Sequence, residues 1–112
     1  MQCVMRIREA DRHIFEAIRN GVKTIETRAA TVKYRKLAVG DTLVFTCGAD
    51  RLSKTITKAY HWPSVAAMAK QVDIKQVLPE VSSLAEAEAA YAKWPGYAEK
   101  IKEHGLAGFE LS

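Results

Sequence analysis

Lys23, Glu26 and Arg28 stand within six residues of one another, directly after a glycine turn at Gly21. Beside and between them lie Val22, Thr24, Ile25 and Thr27, whose Cβ branching stiffens χ1 and favours an extended backbone. Three ionisable groups are more than a core strand needs, so the segment is either an exposed edge or the wall of a cleft. In a cleft, the planar fork of Arg28 can hold a phosphate or a base edge. Lys23, desolvated beside Arg28, can act as a base or proton carrier. Glu26 can instead keep Lys23 charged, which makes a binding site. At an edge, Glu26 would form only a cross-strand surface ion pair, worth under about 1 kcal/mol. In a regular strand Glu26 and Arg28 share one face and Lys23 takes the other. A Lys23 placed at the strand entry, or a bulge, would remove that conflict.

Further along, Arg35 and Lys36 are phosphate contacts or a solvated loop in about equal measure. Gly40-Asp41 reads as turn chemistry. Tyr60, His61 and Trp62 can stack a base or pack ahead of Pro63, and packing is favoured; Trp94 and Tyr97 carry the same two readings. His13, His61 and His104 lack metal-ligand spacing with each other or with the cysteines, so no metal site is expected. No phosphate loop of the Walker or dinucleotide type is present, and no cofactor is expected.

The elements that must position these residues follow from period and punctuation. Residues 2–7 alternate as a strand. Asp11 offers an N-cap to a helix carrying Ile14, Phe15 and Ile18, which ends at Asn20-Gly21. Lys23–Arg28 reads as a strand, and residues 29–39 as a basic loop. Thr42–Cys47 alternates as a strand, residues 48–53 form a polar turn, and Lys54–Tyr60 a further strand. Pro63 starts a helix with Val65, Met68 and Val72. A weaker segment ends at Leu78-Pro79. Ser83 and Glu86 make a capping pattern for a helix that buries Leu84, Ala87 and Tyr91. Trp94-Pro95-Gly96-Tyr97 interrupts, a last helix runs to Gly105, and Phe109 and Leu111 mark a closing strand. Strands outnumber long crossovers, so the expected fold is α+β: a small, mostly antiparallel barrel with helices outside. Closure would also remove free strand edges.

A chain of 112 residues, 48% hydrophobic, makes one domain, residues 1–112. It has no apolar run of membrane-spanning length and no secretory signal pattern, so a cytoplasmic protein with no membrane partner is expected. Cys3 and Cys47 read as buried, reduced thiols. Net charge is +4, divided as +6 over residues 1–60 and −2 over residues 61–112. A basic first half attracts phosphates over about 8 Å at physiological salt.

Three features together carry a resemblance: Gly-x-Lys-Thr-x-Glu-x-Arg after a first helix, the Gly40-Asp41 turn, and the Trp-Pro-Gly-Tyr element with Ile101. From about Met5 to Leu111 the chain resembles the ASCH domains, small β-barrels of the PUA-like superfamily, and one bacterial subgroup in particular. The resemblance implies recognition of RNA or of a modified nucleoside or nucleotide. Some members are N4-acetylcytidine amidohydrolases or ribonucleases, which implies a hydrolase as the alternative. The amidohydrolase lysine falls on Lys23 and its glutamate best on Glu80. Its threonine, three residues after the lysine, falls on Glu26; Thr24 is close but is not the matching position. Lys23, Glu26 and Glu80 are therefore the candidate catalytic residues. Arg28, Arg35, Thr24 and Tyr97 are the candidate substrate contacts.

Overall fold

Alternation of apolar and polar residues builds five strands, and the computed structural model, which describes Met1–Ser112, joins them into one sheet. The strands are β1 (Gln2–Arg6), β2 (Ile25–Ala29), β3 (Thr42–Cys47), β4 (Asp50–Trp62) and β5 (Leu106–Leu111). Their order is β1-β3-β4-β5-β2. Only β1 and β3 run parallel, from Gln2 opposite Thr42 to Arg6 opposite Thr46; the other pairs are antiparallel. The sheet is curled, and the mostly antiparallel, barrel-like α+β fold with helices outside is the one the sequence leads to. Closure is not achieved by strand pairing: β1 and β2 both remain edges.

Long β4 makes the curl possible. Its first half pairs with β3 and its second half with β5. Between the halves the register shifts, Ile56 facing Leu111 and Lys58 facing Glu110, which leaves Thr57 as a bulge. A bulge bends its strand and sharpens the local twist.

Six helices cover the sheet: α1 (Arg12–Arg19), α2 (Val32–Arg35), α3 (Val65–Gln71), α4 (Ile74–Val77), α5 (Leu84–Ala92) and α6 (Tyr97–His104). Two apolar clusters result. Phe15 and Ile18 of α1 pack with Met5, Leu43, Phe45, Ile56 and Phe109 inside the curl. Met68, Val77, Ala87, Tyr91 and Ile101 pack with Ile25, Ala29, Trp62 and Leu106 on the other side. Alternate residues of β2 therefore serve different layers: Ile25 and Ala29 face the helical insertion, whereas Glu26 and Arg28 lie opposite Phe109 and Ala107 of the inner face. Gly108 is required by close approach, since a Cβ there would lie 2.4 Å from the Trp62 ring. Gly21, at φ +75°, ends α1 in the left-handed conformation expected of it.

Several local expectations need correction. Asp11 does not cap α1, because its carboxylate accepts from Arg8 Nε at 2.9 Å instead. Residues 29–39 contain α2, a four-residue helix too short to leave an apolar period. β4 is longer at both ends than Lys54–Tyr60, since the turn before it shrinks to Gly48-Ala49. α3 starts at Val65, two residues after Pro63, and Ser64 caps it by accepting from Ala67 N. Ser83 caps α5 as expected, but Leu84 is exposed while Ala87 and Tyr91 are buried. Both cysteines are free and buried. No helix is long and apolar enough to cross a membrane.

Candidate functional site at the open seam

The curl stops short between β1 and β2, and a cleft of about 1150 Å³ occupies the gap. Arg6, Ile7 and Arg8 at the end of β1 form one lip, and Glu26, Thr27 and Arg28 of β2 form the floor. One face of α1 supplies His13, Ile14 and Ala17; Val77–Val81 and the α5–α6 region supply the far wall.

Lys23 precedes β2, so the parity conflict does not arise. From the strand entry its Nζ turns inward and donates to Ile25 O at 3.1 Å and to Val77 O. It lies 3.7 Å from Glu26 Oε1, and Arg28 Nη1 lies 3.3 Å from the same oxygen. Lys23 is 5% exposed and Glu26 4%. Thus the sequence-picked trio meets on one carboxylate oxygen, which also accepts from Thr27 N at 2.9 Å. Glu26 Oε2 makes no hydrogen bond with protein. Thr24 Oγ1 is the one buried side-chain oxygen or nitrogen sealed without a partner, so Glu26 Oε2 keeps access to the cleft.

These contacts also cover the free edge of β2. Lys23 donates to the Ile25 carbonyl, Glu26 accepts from the Thr27 amide, and Arg28 donates to the Thr27 carbonyl at 3.3 Å. Tyr97 Oη accepts from the Ala29 amide at 2.8 Å. Side chains thereby occupy the positions where a sixth strand would pair.

Electrostatics follow from burial and company. Burial pushes the Lys23 amine below its ordinary range; Glu26 opposes that shift and Arg28 adds to it. Burial pushes the Glu26 carboxyl up, but Lys23, Arg28 and the Thr27 amide outweigh it and hold the group below its usual range. The two directions are compatible, because Glu26 divides its attraction between two cations while Lys23 has one anion. Glu26 and burial act oppositely on Arg28, and Glu26 prevails, raising an already basic group. At neutral pH Glu26 and Arg28 are charged, and Lys23 is the group whose proton is easiest to shift.

An aromatic wall stands beside this floor. Tyr91 and Tyr97 rings stack with centroids 6.3 Å apart, and Trp94 meets Tyr97 edge-on at 5.6 Å. Tyr91 Oη pairs with Thr27 Oγ1 at 2.5 Å. Trp94 is 47% exposed, leaving indole surface open to the cleft. Burial raises the phenols of both tyrosines, so both stay neutral at ordinary pH.

The remaining sequence candidates fall elsewhere. Glu80 lines the same cleft but stands at its rim, where it pairs with His13 at 2.7 Å rather than with Lys23. Thr24 does not line the cleft; its backbone is tied to Gln76 and Leu111. Arg35 stands on α2 beside a separate, smaller hollow. Arg6, Lys93, His13 and Thr27 line the cleft but were not singled out by sequence. Arg6 and Lys93 differ from Lys23 in lacking any motif; only the third dimension brings them to the seam. No three of the His, Cys, Asp and Glu residues converge as a metal-binding group.

Two solved structures share this architecture over nearly their whole length. The crystal structure of hypothetical protein PH0355 aligns with a TM-score of 0.85 at 27% identity, covering 100% of this chain and 98% of that one. The solution NMR structure of protein PF0455 from Pyrococcus furiosus aligns with a TM-score of 0.78 at 27% identity, covering 100% and 96%. No family model and no curated protein matches the sequence. The chain is thus similar, from end to end, to two proteins that share its curled sheet and helical layer.

Proposed function

We propose that this chain is an ASCH-like domain of the PUA-like superfamily, working in the cytoplasm, and that its seam cleft binds RNA or a modified nucleoside or nucleotide. The observation that carries this reading is the buried carboxylate of Glu26, whose Oε1 meets Lys23 and Arg28 and whose Oε2 has no protein partner, on the floor of a cleft that the exposed Trp94 also lines. A buried carboxylate oxygen is an acceptor for an exocyclic amine or ring N–H of a base. Trp94 offers a stacking surface worth about 1–3 kcal/mol per base. Arg28, with Arg6 and Lys93 at the lips and no carboxylate of their own, suits phosphate oxygens. Neutral tyrosines add hydroxyls without adding charge.

Titration with ribonucleoside 5′-monophosphates, followed by calorimetry and by Trp94 fluorescence, tests the reading. Binding should weaken with added salt, and Arg28→Ala should lower affinity and flatten that dependence. Affinity indifferent to salt and to Arg28→Ala overturns it.

A second reading, a hydrolase of an acylated nucleobase or of RNA, is favoured by one observation. Lys23 is an amine with a weakened hold on its proton, 3.7 Å from a carboxylate. Turnover of N4-acetylcytidine or of an RNA oligomer that disappears in Lys23→Met supports it. A folded sample without product rejects it.

A further inference from the structure

The two terminal strands of the sheet are protected differently. The margin of β2 is covered by Lys23, Glu26, Arg28 and Tyr97. The margin of β1 has no such cover. Its ladder to β3 is fixed in phase at both ends: Thr42 N donates to Met1 O at 3.0 Å, and Ile7 N donates to Thr46 O at 2.7 Å. In a parallel pair alternate residues bond to the neighbour, so Cys3 and Met5 face β3. The amides and carbonyls of Gln2, Val4 and Arg6 therefore point away from the sheet. The one side chain near them is Cys3 Sγ, a weak donor 4.0 Å from Val4 O. Val4 is 50% exposed, and Gln2 and Arg6 are exposed with it. Of β1 only Arg6 lines the seam cleft.

A bare edge of this kind templates another strand, and the residues on it select which. Set antiparallel, with Val4 opposite Val4 of a second copy, Gln2 falls opposite Arg6 and Arg6 opposite Gln2. All three outward-pointing residues then pair, and each pair exchanges two hydrogen bonds. A slip of two residues either way leaves one of the three unpaired on each copy. In the full register an apolar side chain meets its twin at the centre. Each guanidinium meets an amide carbonyl, which avoids the cost of like charges face to face. The two-fold axis also closes the assembly at two copies. Pairing β1 with β2 of the next molecule would instead run on as a fibre, and the covered margin of β2 opposes it.

We propose that the outer margin of β1 is a self-pairing surface, through which two copies of this chain join antiparallel about Val4 into one continuous sheet. The proposal stands apart from the reading of the seam as a nucleotide site. Five residues a side fall well short of the roughly 20–30 of a standard interface, so the dimer is weak and forms at high concentration. Because Arg6 also forms a lip of the cleft, Gln2 of the second copy comes to stand beside each seam.

Sedimentation velocity from about 1 µM to about 500 µM, with amide hydrogen exchange at both ends of that range, tests this. The chain should be a monomer at the low end and mostly a dimer at the high end. Exchange at Gln2, Val4 and Arg6 should slow by about threefold or more between the two. Val4→Pro deletes an outward amide without costing a bond to β3. Gln2→Arg sets like charges opposite one another across the axis. Each variant should stay monomeric at the high end, and Gln2→Arg, an exposed substitution, keeps the test alive if Val4→Pro does not fold. A parent that remains monomeric overturns the proposal. A dimer that the folded variants leave intact overturns it too, as does a dimer in which those three amides exchange no more slowly. If the amides slow only when an unrelated extended peptide is added, the edge serves another partner and self-pairing fails.

Discussion

Glu26→Gln isolates the charge on which Lys23 and Arg28 converge. The amide keeps the shape and still accepts from Thr27 N and Arg28, so the loss is electrostatic. At an effective dielectric of about 20, a unit pair near 4 Å carries about 4 kcal/mol of attraction. Two cations stand at 3.7 and 3.3 Å, and the cost of desolvating the carboxylate offsets much of their pull. Removing one member of a buried pair costs about 3–5 kcal/mol, because the remaining charge is stranded. At roughly 4 °C per kcal/mol for a chain of this size, the melting temperature should fall by about 15 °C.

The loss should depend on pH in two directions. Without Glu26 the Lys23 amine moves further below its ordinary range. An amine with a depressed folded pKa binds fewer protons folded than unfolded, so stability climbs as pH rises through the folded value and levels near ~10.4. The gap between variant and parent should therefore narrow from pH 7 to about 10. On the acid side, the depressed Glu26 pKa means its contribution is complete above ~4.3 and drains as pH falls through its lower folded value. The gap should narrow there too. Adding Lys23→Met should recover part of the loss, since one stranded charge goes. Chemical denaturation at pH 3 to 10 reads all of this. No loss at pH 7, or a gap constant across that range, refutes the reasoning.

Tyr97→Phe strips the Ala29 amide of its acceptor and should cost about 1–3 kcal/mol with faster hydrogen exchange at Ala29; unchanged exchange there would count against the contact. Thr24→Val should raise stability by up to about 1 kcal/mol, because its buried hydroxyl has no partner; a loss on denaturation would mean that the hydroxyl is engaged. Cys3 and Cys47 should resist a thiol reagent at pH 8 in the folded protein, since both are buried and burial raises the Cys47 thiol; two fast equivalents would contradict this.

How far the sequence reached is instructive at particular residues. Thr42–Cys47 was readable to the residue, because alternation and the Gly40-Asp41 turn agree. Ile14, Phe15 and Ile18 announced α1 by spacing alone. Lys23 and Glu26 could be named but not placed: whether they share a face turns on Lys23 leaving the strand, which parity cannot register. Glu80 could not be assigned a partner, because His13 lies sixty-seven positions away in the chain and meets it only when α1 packs beside the α4–α5 loop. Arg35 could be named as a phosphate contact but not placed, because α2, four residues long, carries no apolar rhythm to reveal where it stands. The division of β2 between two cores is likewise a property of the curl.

The side chains along the outer margin of β2 do double duty. Lys23, Glu26, Arg28 and Tyr97 occupy the backbone groups that would otherwise template a neighbouring molecule. Drift in ligand preference at these positions is thereby coupled to self-avoidance. A replacement that improves a guest but uncovers an amide exposes the chain to stacking with its own copies. Selection on chemistry and selection against aggregation act here on the same four residues, which narrows the routes by which this margin can evolve.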